Sequence, residues 1–269
     1  MEILWIITLM GYAVCVAQSI FALTTKRPVM KKTALAALAS GLGAHTSWLL
    51  LRGIRTGRFP LVGTQEMCAF LAWGLVLSTL IAYRWYHANA LKAFIFPIVL
   101  VLAAIAAISP GAADQTQEFS NTLQSILLPA HVGLLLLAYA SFFVSFGAGV
   151  MYIIQERELK HKRFGTIFYK LPSLDTCDAI SSRSMAIGFV LMTLGIVGGL
   201  WYSYSRYHLY WQAGPLEIFS VVTWLLYLVI IQSRINAGWG GRAAALASIL
   251  SFIIVICSLV GVRYLGHAF

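Results

Sequence analysis

The chain has 269 residues, of which 60% are hydrophobic and only 10% are charged, and its mean hydropathy is +0.82. This composition excludes an ordinary soluble domain and indicates an integral membrane protein. The net charge of +10 fits contact with anionic lipid at the inner face of a membrane, so it calls for no nucleic-acid partner.

Polar breaks divide the chain into eight apolar segments, most of which reach the roughly 20 residues that a membrane-spanning helix needs. The intervals between them are too short to fold separately. We therefore predict an all-α polytopic membrane protein with a single transmembrane helical domain over residues 1–269. The predicted spans are 3–23, 33–53, 67–86, 91–108, 124–153, 185–204, 215–233 and 243–264.

The first segment begins with MEILW and lacks the basic start of a signal peptide, so we expect it to be retained as a helix. The cysteines lie far apart and form no CxxC pair, so we expect them to be buried as small apolar side chains. They are Cys15, Cys68, Cys177 and Cys257.

Basic residues predict the orientation, because cytoplasmic connections of membrane proteins are enriched in lysine and arginine. Alternate connections carry fourteen of the 19 such residues, whereas SPGAADQTQEFSN on the opposite face carries none. We therefore expect a multi-pass protein of the inner (cytoplasmic) membrane with both termini on the extracytoplasmic side.

Three arginines in LRGIRTGRFPL oppose this bias, since the segment lies on the predicted outer face: Arg52, Arg55 and Arg58. Cationic side chains near the end of a span commonly extend to lipid headgroups. Guanidinium groups also bind carboxylates in a bidentate manner, so an anionic ligand is the alternative. Arg206, on another outer connection, could join such a site.

Three histidines lie within or beside predicted spans. His131 and His267 lie at similar depth near the outer face, whereas His45 lies about 12 Å deeper at a rise of 1.5 Å per residue. An imidazole inside a span is costly without a partner. His45 therefore either donates a hydrogen bond to a neighbouring helix or ligates a metal.

The connection RYHLYWQAG places aromatic side chains on the predicted outer face: Tyr207, His208, Tyr210 and Trp211. Aromatic residues at this depth commonly form an interfacial belt. Combined with two histidines and the arginines, they also supply what haem requires, namely axial nitrogen ligands, an apolar slot and partners for two propionates. The residues suggest a haem site without establishing it.

Several segments resemble the cytochrome c assembly proteins of the CcsA type and their HemX-like relatives. LLLRGIRTGRFPLVGTQEMCAFLAWG resembles the family segment after the second helix, with FPL and Glu66 in register. LPAHVGLLLLAYASF is similar to the segment that holds the first external haem histidine, which maps to His131. LPSLDTCDAISSRSMAIGFVLMTLGIVGG and GGRAAALASILSFIIVICSLVGVRYLG resemble the later helices, and the terminal external histidine is best matched by His267.

The stretch from Tyr207 to Trp224 resembles the tryptophan-rich external loop of that family, WGxYWxWDPKExWxxxTW, but keeps only half of it. Ala213 and Gly214 replace its Trp-Asp pair. Glu217, which is retained, is either an acid that stabilises the start of a helix or a residue that orients haem. The retained positions are Tyr210, Trp211, Pro215, Glu217, Thr223 and Trp224.

A second departure lies near the inner end of the same helix. Gln232 stands where the family's haem lyases have a histidine that binds haem within the membrane. Glutamine is a poor iron ligand, so we expect that haem-binding site within the membrane to be absent or built differently. His45 is no direct substitute, because it lies in the outer half of another helix. It either ligates a second, deeper haem or forms a hydrogen bond to a neighbouring helix.

The resemblance implies non-covalent, b-type haem with His131 and His267 as iron ligands. We predict a HemX-like protein that holds or handles haem, in contact with a haem-biosynthesis enzyme, and not a complete enzyme. The alternative is a CcsA-type subunit of a cytochrome c haem lyase or haem exporter with a CcsB-type membrane partner. A transporter of another small molecule is a third hypothesis, and the sequence leaves homo-oligomerisation open. The expected site residues are His131, His267, His45, Tyr210, Trp211, Glu217, Arg52, Arg55 and Arg58.

Overall fold

The structure, a computed structural model, describes residues 1–24, 31–110, 122–162, 165–212 and 214–265. All regular secondary structure within these ranges is helical. Within these ranges it describes all side chains except those of 31–32, 122–125, 216 and 257–265. The helices are α1 (Glu2–Thr24), α2 (Lys31–Thr56), α3 (Gly63–Tyr86), α4 (Ala90–Ile108), α5 (Thr122–Lys160), the short α6 (Thr166–Lys170), α7 (Leu174–Tyr207), α8 (Pro215–Asn236) and α9 (Gly241–Leu265).

Seven helices in the described part of the chain are long and apolar enough to cross a membrane, namely α1 to α5, α7 and α8. The described side chains of α9, up to residue 256, continue the same apolar composition. The prediction of an all-α polytopic membrane protein is thereby confirmed. Its eighth predicted span corresponds to α9.

Two helices extend well beyond the spans predicted from hydropathy. α5 has 39 residues and continues to Lys160, while α7 has 34 residues and begins at Leu174. Much of the polar interval between the predicted spans is therefore helical. Hydropathy reports only the apolar part of a helix, whereas the backbone hydrogen bonds of α5 and α7 continue into polar sequence.

The chain divides into two compact units, residues 1–118 with 154–173, and residues 119–153 with 174–269. In the first unit, α1 and α2 approach closely through glycine. A Cβ atom on Gly11 would lie 2.6 Å from the carbonyl oxygen of Ala37 and 2.7 Å from the Cα atom of Gly41. Such small-residue contacts are typical of membrane helices, where close backbone approach supplies the packing energy.

In the second unit, α5 packs against α7 in the same manner. A Cβ atom on Gly188 would lie 2.6 Å from the ring of Phe142, and the hydroxyl groups of Ser145 and Ser181 are 3.0 Å apart. Phe142 in turn stacks on Tyr227 of α8, with ring centroids 3.6 Å apart. These contacts join three helices of the unit.

No disulfide joins the cysteines whose side chains the structure describes. Cys15 and Cys177 are buried, as predicted, while Cys68 is half-buried. The side chain of Cys257 lies outside the described residues.

Candidate functional site

His131 lies in the part of α5 that the sequence predicts to be near the outer face, and its half-buried ring contacts α7. Its Nδ1 atom is 2.7 Å from the carbonyl oxygen of Gly195. Because a carbonyl can only accept a hydrogen bond, Nδ1 carries the proton and donates it. In the neutral imidazole, Nε2 then holds the lone pair, and no described residue hydrogen-bonds to it. This is the tautomer that lets a histidine bind iron through Nε2.

The imidazole of His131 lies directly on the backbone of α7. A Cβ atom on Gly199 would lie 2.5 Å from Cε1 and 2.6 Å from Nδ1 of the ring. The sequence LGIVGG therefore provides both the hydrogen-bond acceptor and the open space. Sequence reasoning found His131 but missed Gly195 and Gly199, although the close spacing of glycines in this helix was a visible signal.

The aromatic connection starts eight residues beyond Gly199, about 12 Å farther along α7 at 1.5 Å per residue. Tyr204 and Tyr210 stack with ring centroids 4.3 Å apart and an interplanar angle of 8°. The side chains of Tyr210 and Trp211 are 60% and 42% exposed. Two retained aromatics of the loop thus present open faces instead of filling the helix core.

Glu217 holds this connection in place. Its Oε2 atom accepts a hydrogen bond of 2.9 Å from the backbone N–H of Gln212. The Gln212 side chain donates to Ser203, which itself donates to the carbonyl oxygen of Leu209. Glu217 also lies in the first turn of α8, after Pro215 at its start, where a negative charge is favourable. The structure therefore gives Glu217 a role in fixing the loop.

Trp224, the last residue of the retained pattern, joins α8 to α7. Its Nε1 atom donates to Thr193 at 2.9 Å, and its ring stacks on Phe189 with centroids 5.4 Å apart. Thr223 beside it is buried. These two positions support the helix pair below the loop.

His267, the proposed second iron ligand, lies outside the described residues. The helical backbone of α9 ends at Leu265, two residues earlier. The pairing of His267 with His131 therefore stays a prediction.

His45 lies in the core of the first unit, with no exposed surface. Its Nδ1 atom is 3.0 Å from the hydroxyl group of Tyr12 on α1, and its ring lies 5.4 Å from that of Trp5. Nε2 is buried and has no hydrogen-bond partner among the described residues. The hydrogen bond to a neighbouring helix, one of the two roles left open by the sequence, is therefore present. Ligation of a second haem by His45 stays a prediction.

Arg52 and Arg58 converge on one buried carboxylate at the outer end of the first unit. Nε of Arg52 is 2.8 Å from Oε1 of Glu66, and Nη1 of Arg58 is 2.7 Å from Oε2. The backbone N–H of Val62 donates to the same Oε2 at 2.8 Å. Arg55 is exposed and forms no ion pair with the described residues. The sequence placed Glu66 in register with the family but did not identify it as the partner of two arginines.

At the inner end of α8, Gln232 is exposed, and its side-chain oxygen accepts a hydrogen bond from Asn236 at 2.9 Å. Arg234 binds Asp178 of α7 at 2.8 Å. Arg206, at the outer end of α7, is exposed.

Within the described residues, no three histidine, cysteine or acidic side chains come together as a metal site. The described part of the second unit offers an oriented imidazole, with an aromatic connection that starts about 12 Å farther along α7. Such a ligand suits a metal that brings most of its own coordination, as the iron of haem does.

The family model described as cytochrome C assembly protein matches residues 61–269. The cytochrome c biogenesis protein CcsA of Prochlorococcus marinus strain MIT 9301 is 29% identical over 241 residues, which cover 82% of this chain and 78% of the relative. The protein of the same name in strain MIT 9312 is 30% identical with the same coverage. The one in Guillardia theta is 28% identical over 233 residues, covering 80% of this chain and 77% of the relative. The chain therefore belongs to the cytochrome c assembly protein family.

Proposed function

We propose that this protein is a CcsA-type subunit for cytochrome c assembly that binds haem through Nε2 of His131 on the outer face of the inner membrane. The observation that carries the proposal is the hydrogen bond from Nδ1 of His131 to the carbonyl oxygen of Gly195. It fixes the tautomer whose free nitrogen can bind iron, at the residue to which the family's first external haem histidine maps.

A backbone acceptor on the non-ligating nitrogen is the usual arrangement for a metal-binding histidine, because it orients the ring and raises the basicity of the other nitrogen. His131 is therefore prepared as a ligand before haem arrives. His267 is proposed as the second axial ligand. The exposed faces of Tyr210 and Trp211 would pack against the porphyrin, while Glu217 keeps the loop that carries them in place.

Haem is the cargo in this proposal, held without a covalent bond until it is attached to the cysteine thiols of an apocytochrome. The protein's own contribution is to bind, orient and present it. Because an assembly subunit of this kind works with a CcsB-type partner, we expect this chain to function in a complex and not as a complete enzyme alone.

A HemX-like protein, which would hold haem without attaching it, is the second candidate. The observation in its favour is the environment of Gln232, which bonds to Asn236 along the exposed face of α8. No imidazole is available at that position, so a protein with a CcsA-type role would have to function without the haem-binding site near the inner face. The names of the relatives favour the CcsA-type role.

The two candidate functions can be distinguished by expressing this protein in a host whose own CcsA-type gene is deleted and whose CcsB-type partner is kept. The readout is covalently bound haem on c-type cytochromes, measured by peroxidase staining of denaturing gels. Restored staining, lost again with His131→Ala, supports the CcsA-type role. Haem in the purified protein without restored staining supports the HemX-like role. Absence of both contradicts the proposal.

A further inference from the structure

We infer that Gly199 is a positioning residue of the haem site, because it provides the space in which the His131 imidazole can donate to Gly195. The inference rests on the proposed function, in which His131 is an iron ligand.

The contact belongs to a regular series between the antiparallel helices α5 and α7. Gly195 faces Leu135, whose Cδ2 atom would lie 2.8 Å from an added Cβ, and Gly199 faces His131. The step of four residues along α7 is matched by the same step in reverse along α5. Gly188, seven residues before Gly195 in α7, faces Phe142, which is seven residues after Leu135 in α5. Apolar side chains thus fill the two inner positions, whereas the outermost position holds an imidazole.

An apolar side chain would serve equally well for packing at the outermost position. The imidazole adds two features that the inner positions lack, a hydrogen bond to the α7 backbone and a nitrogen without a described partner. Helix packing explains the glycine, but it does not explain the choice of histidine. A ligand held in a fixed orientation explains both.

The space over Gly199 is needed for this orientation. An alanine methyl group there would lie 2.5 Å from Cε1 and 2.6 Å from Nδ1, well inside van der Waals contact. The ring has only two side-chain torsions, so it cannot move away from the methyl group and keep its 2.7 Å bond to Gly195. Alanine at position 199 would therefore displace the ring and break the hydrogen bond that keeps the proton on Nδ1.

The neighbouring glycine supplies a matched control. An added Cβ atom on Gly198 would lie 3.9 Å from Cα and Cβ of His131, an ordinary contact. Both substitutions add one methyl group to adjacent positions of the same helix. Gly198→Ala should therefore leave the ring in place, and any general effect of alanine on α7 is common to both variants.

The first experiment compares haem binding by purified wild-type protein, Gly199→Ala, Gly198→Ala and His131→Ala. It uses optical spectra and the rate of haem transfer to an excess of a haem-capturing globin. Loss of a partner that orients a metal ligand typically costs about 10- to 100-fold in affinity. We expect transfer from Gly199→Ala to be faster by about that factor, with a five-coordinate contribution to its spectrum, while Gly198→Ala matches the wild type.

A second pair of variants keeps the test decisive if Gly199→Ala folds poorly. His131→Gly removes the ring, so free imidazole can enter its place, and His131→Gly with Gly199→Ala adds the methyl group where no ring is left to clash. We expect imidazole to restore the six-coordinate spectrum of the single variant at a concentration about tenfold lower than that needed by the double variant, in keeping with the factor above. Equal restoration in both would overturn the role of Gly199.

The outcomes separate this inference from the proposed function. If His131→Ala loses ligation while Gly199→Ala behaves as the wild type, His131 is the ligand but the glycine does not position it. If the wild type binds no haem, or if His131→Ala binds it unchanged, the proposed function itself is wrong.

Discussion

Glu66 is buried without exposed surface, and its Oε2 atom lies 2.7 Å from Nη1 of Arg58. The same carboxylate binds Arg52 and the backbone N–H of Val62, so one negative charge holds two cations and the start of α3. The Glu66 carboxylate therefore joins the end of α2 to the start of α3. Its loss would leave two half-buried guanidinium groups without the partner shown here.

Glu66→Gln should therefore destabilise the protein strongly, since breaking a buried ion pair by removing one partner costs about 3–5 kcal/mol. The measurement is thermal unfolding in detergent, followed by tryptophan fluorescence. Lys160→Ala is the control, because it breaks only the exposed pair with Glu156, for which we expect about 1 kcal/mol or less. Equal melting temperatures for both variants would show that the buried ion pairs of Glu66 contribute no more to stability than the exposed pair.

Arg55 separates the two hypotheses for the outer arginines. It forms no ion pair with the described residues, so Arg55→Ala should leave the melting temperature unchanged. If the group binds the carboxylates of haem, haem affinity falls about ten- to hundredfold, as expected for a charged hydrogen bond of about 1.5–3 kcal/mol. Arg55→Lys should also weaken binding, because the bidentate fork is lost. Unaltered haem affinity in both variants would make Arg55 a headgroup anchor.

Tyr12 is the hydrogen-bond partner of His45. Tyr12→Phe would leave a fully buried imidazole without this bond, so we expect about 1–3 kcal/mol of destabilisation in the same melting experiment. The number of haem groups per protein should not change in Tyr12→Phe or in His45→Phe. A decrease by one haem in His45→Phe would instead identify His45 as the ligand of a second, deeper haem.

Glu217 should protect the aromatic connection from proteolysis. Glu217→Ala removes the acceptor for the backbone N–H of Gln212, so chymotrypsin should cleave after Tyr210 or Trp211 faster than in the wild type. Glu217→Gln keeps an oxygen at the same place and should be cleaved nearly as slowly as the wild type. Identical cleavage of all three proteins would mean that the loop is held by its other bonds.

The sequence predicted the helical membrane architecture well because a lipid environment requires long apolar segments and satisfies no backbone polar group. It underestimated α5 and α7, since hydropathy does not register the polar ends of a helix. It also selected His131, whose role as a haem ligand stays a prediction, but it did not reveal the hydrogen bond that orients the ring. The acceptor, Gly195, is 64 residues away, and no local pattern states which carbonyl will face the ring.

The arginine segment illustrates the same limit. Charge bias singled out Arg52, Arg55 and Arg58 as a group, because charge is visible in the sequence. The structure divides the group, since only Arg52 and Arg58 share Glu66. A carboxylate a few residues beyond a basic cluster was the available signal. Its meaning depends on the turn between α2 and α3, which brings the three side chains together.

The most direct test of the central claim is the optical spectrum of the purified protein beside that of His131→Ala, each recorded oxidised and reduced. If Nε2 of His131 binds haem iron opposite a second histidine, the reduced wild type shows the split α and β bands of bis-histidine haem, and His131→Ala shifts towards a five-coordinate spectrum that added imidazole reverses. A wild type without a Soret band after haem addition, or a His131→Ala spectrum identical to that of the wild type, would contradict the account.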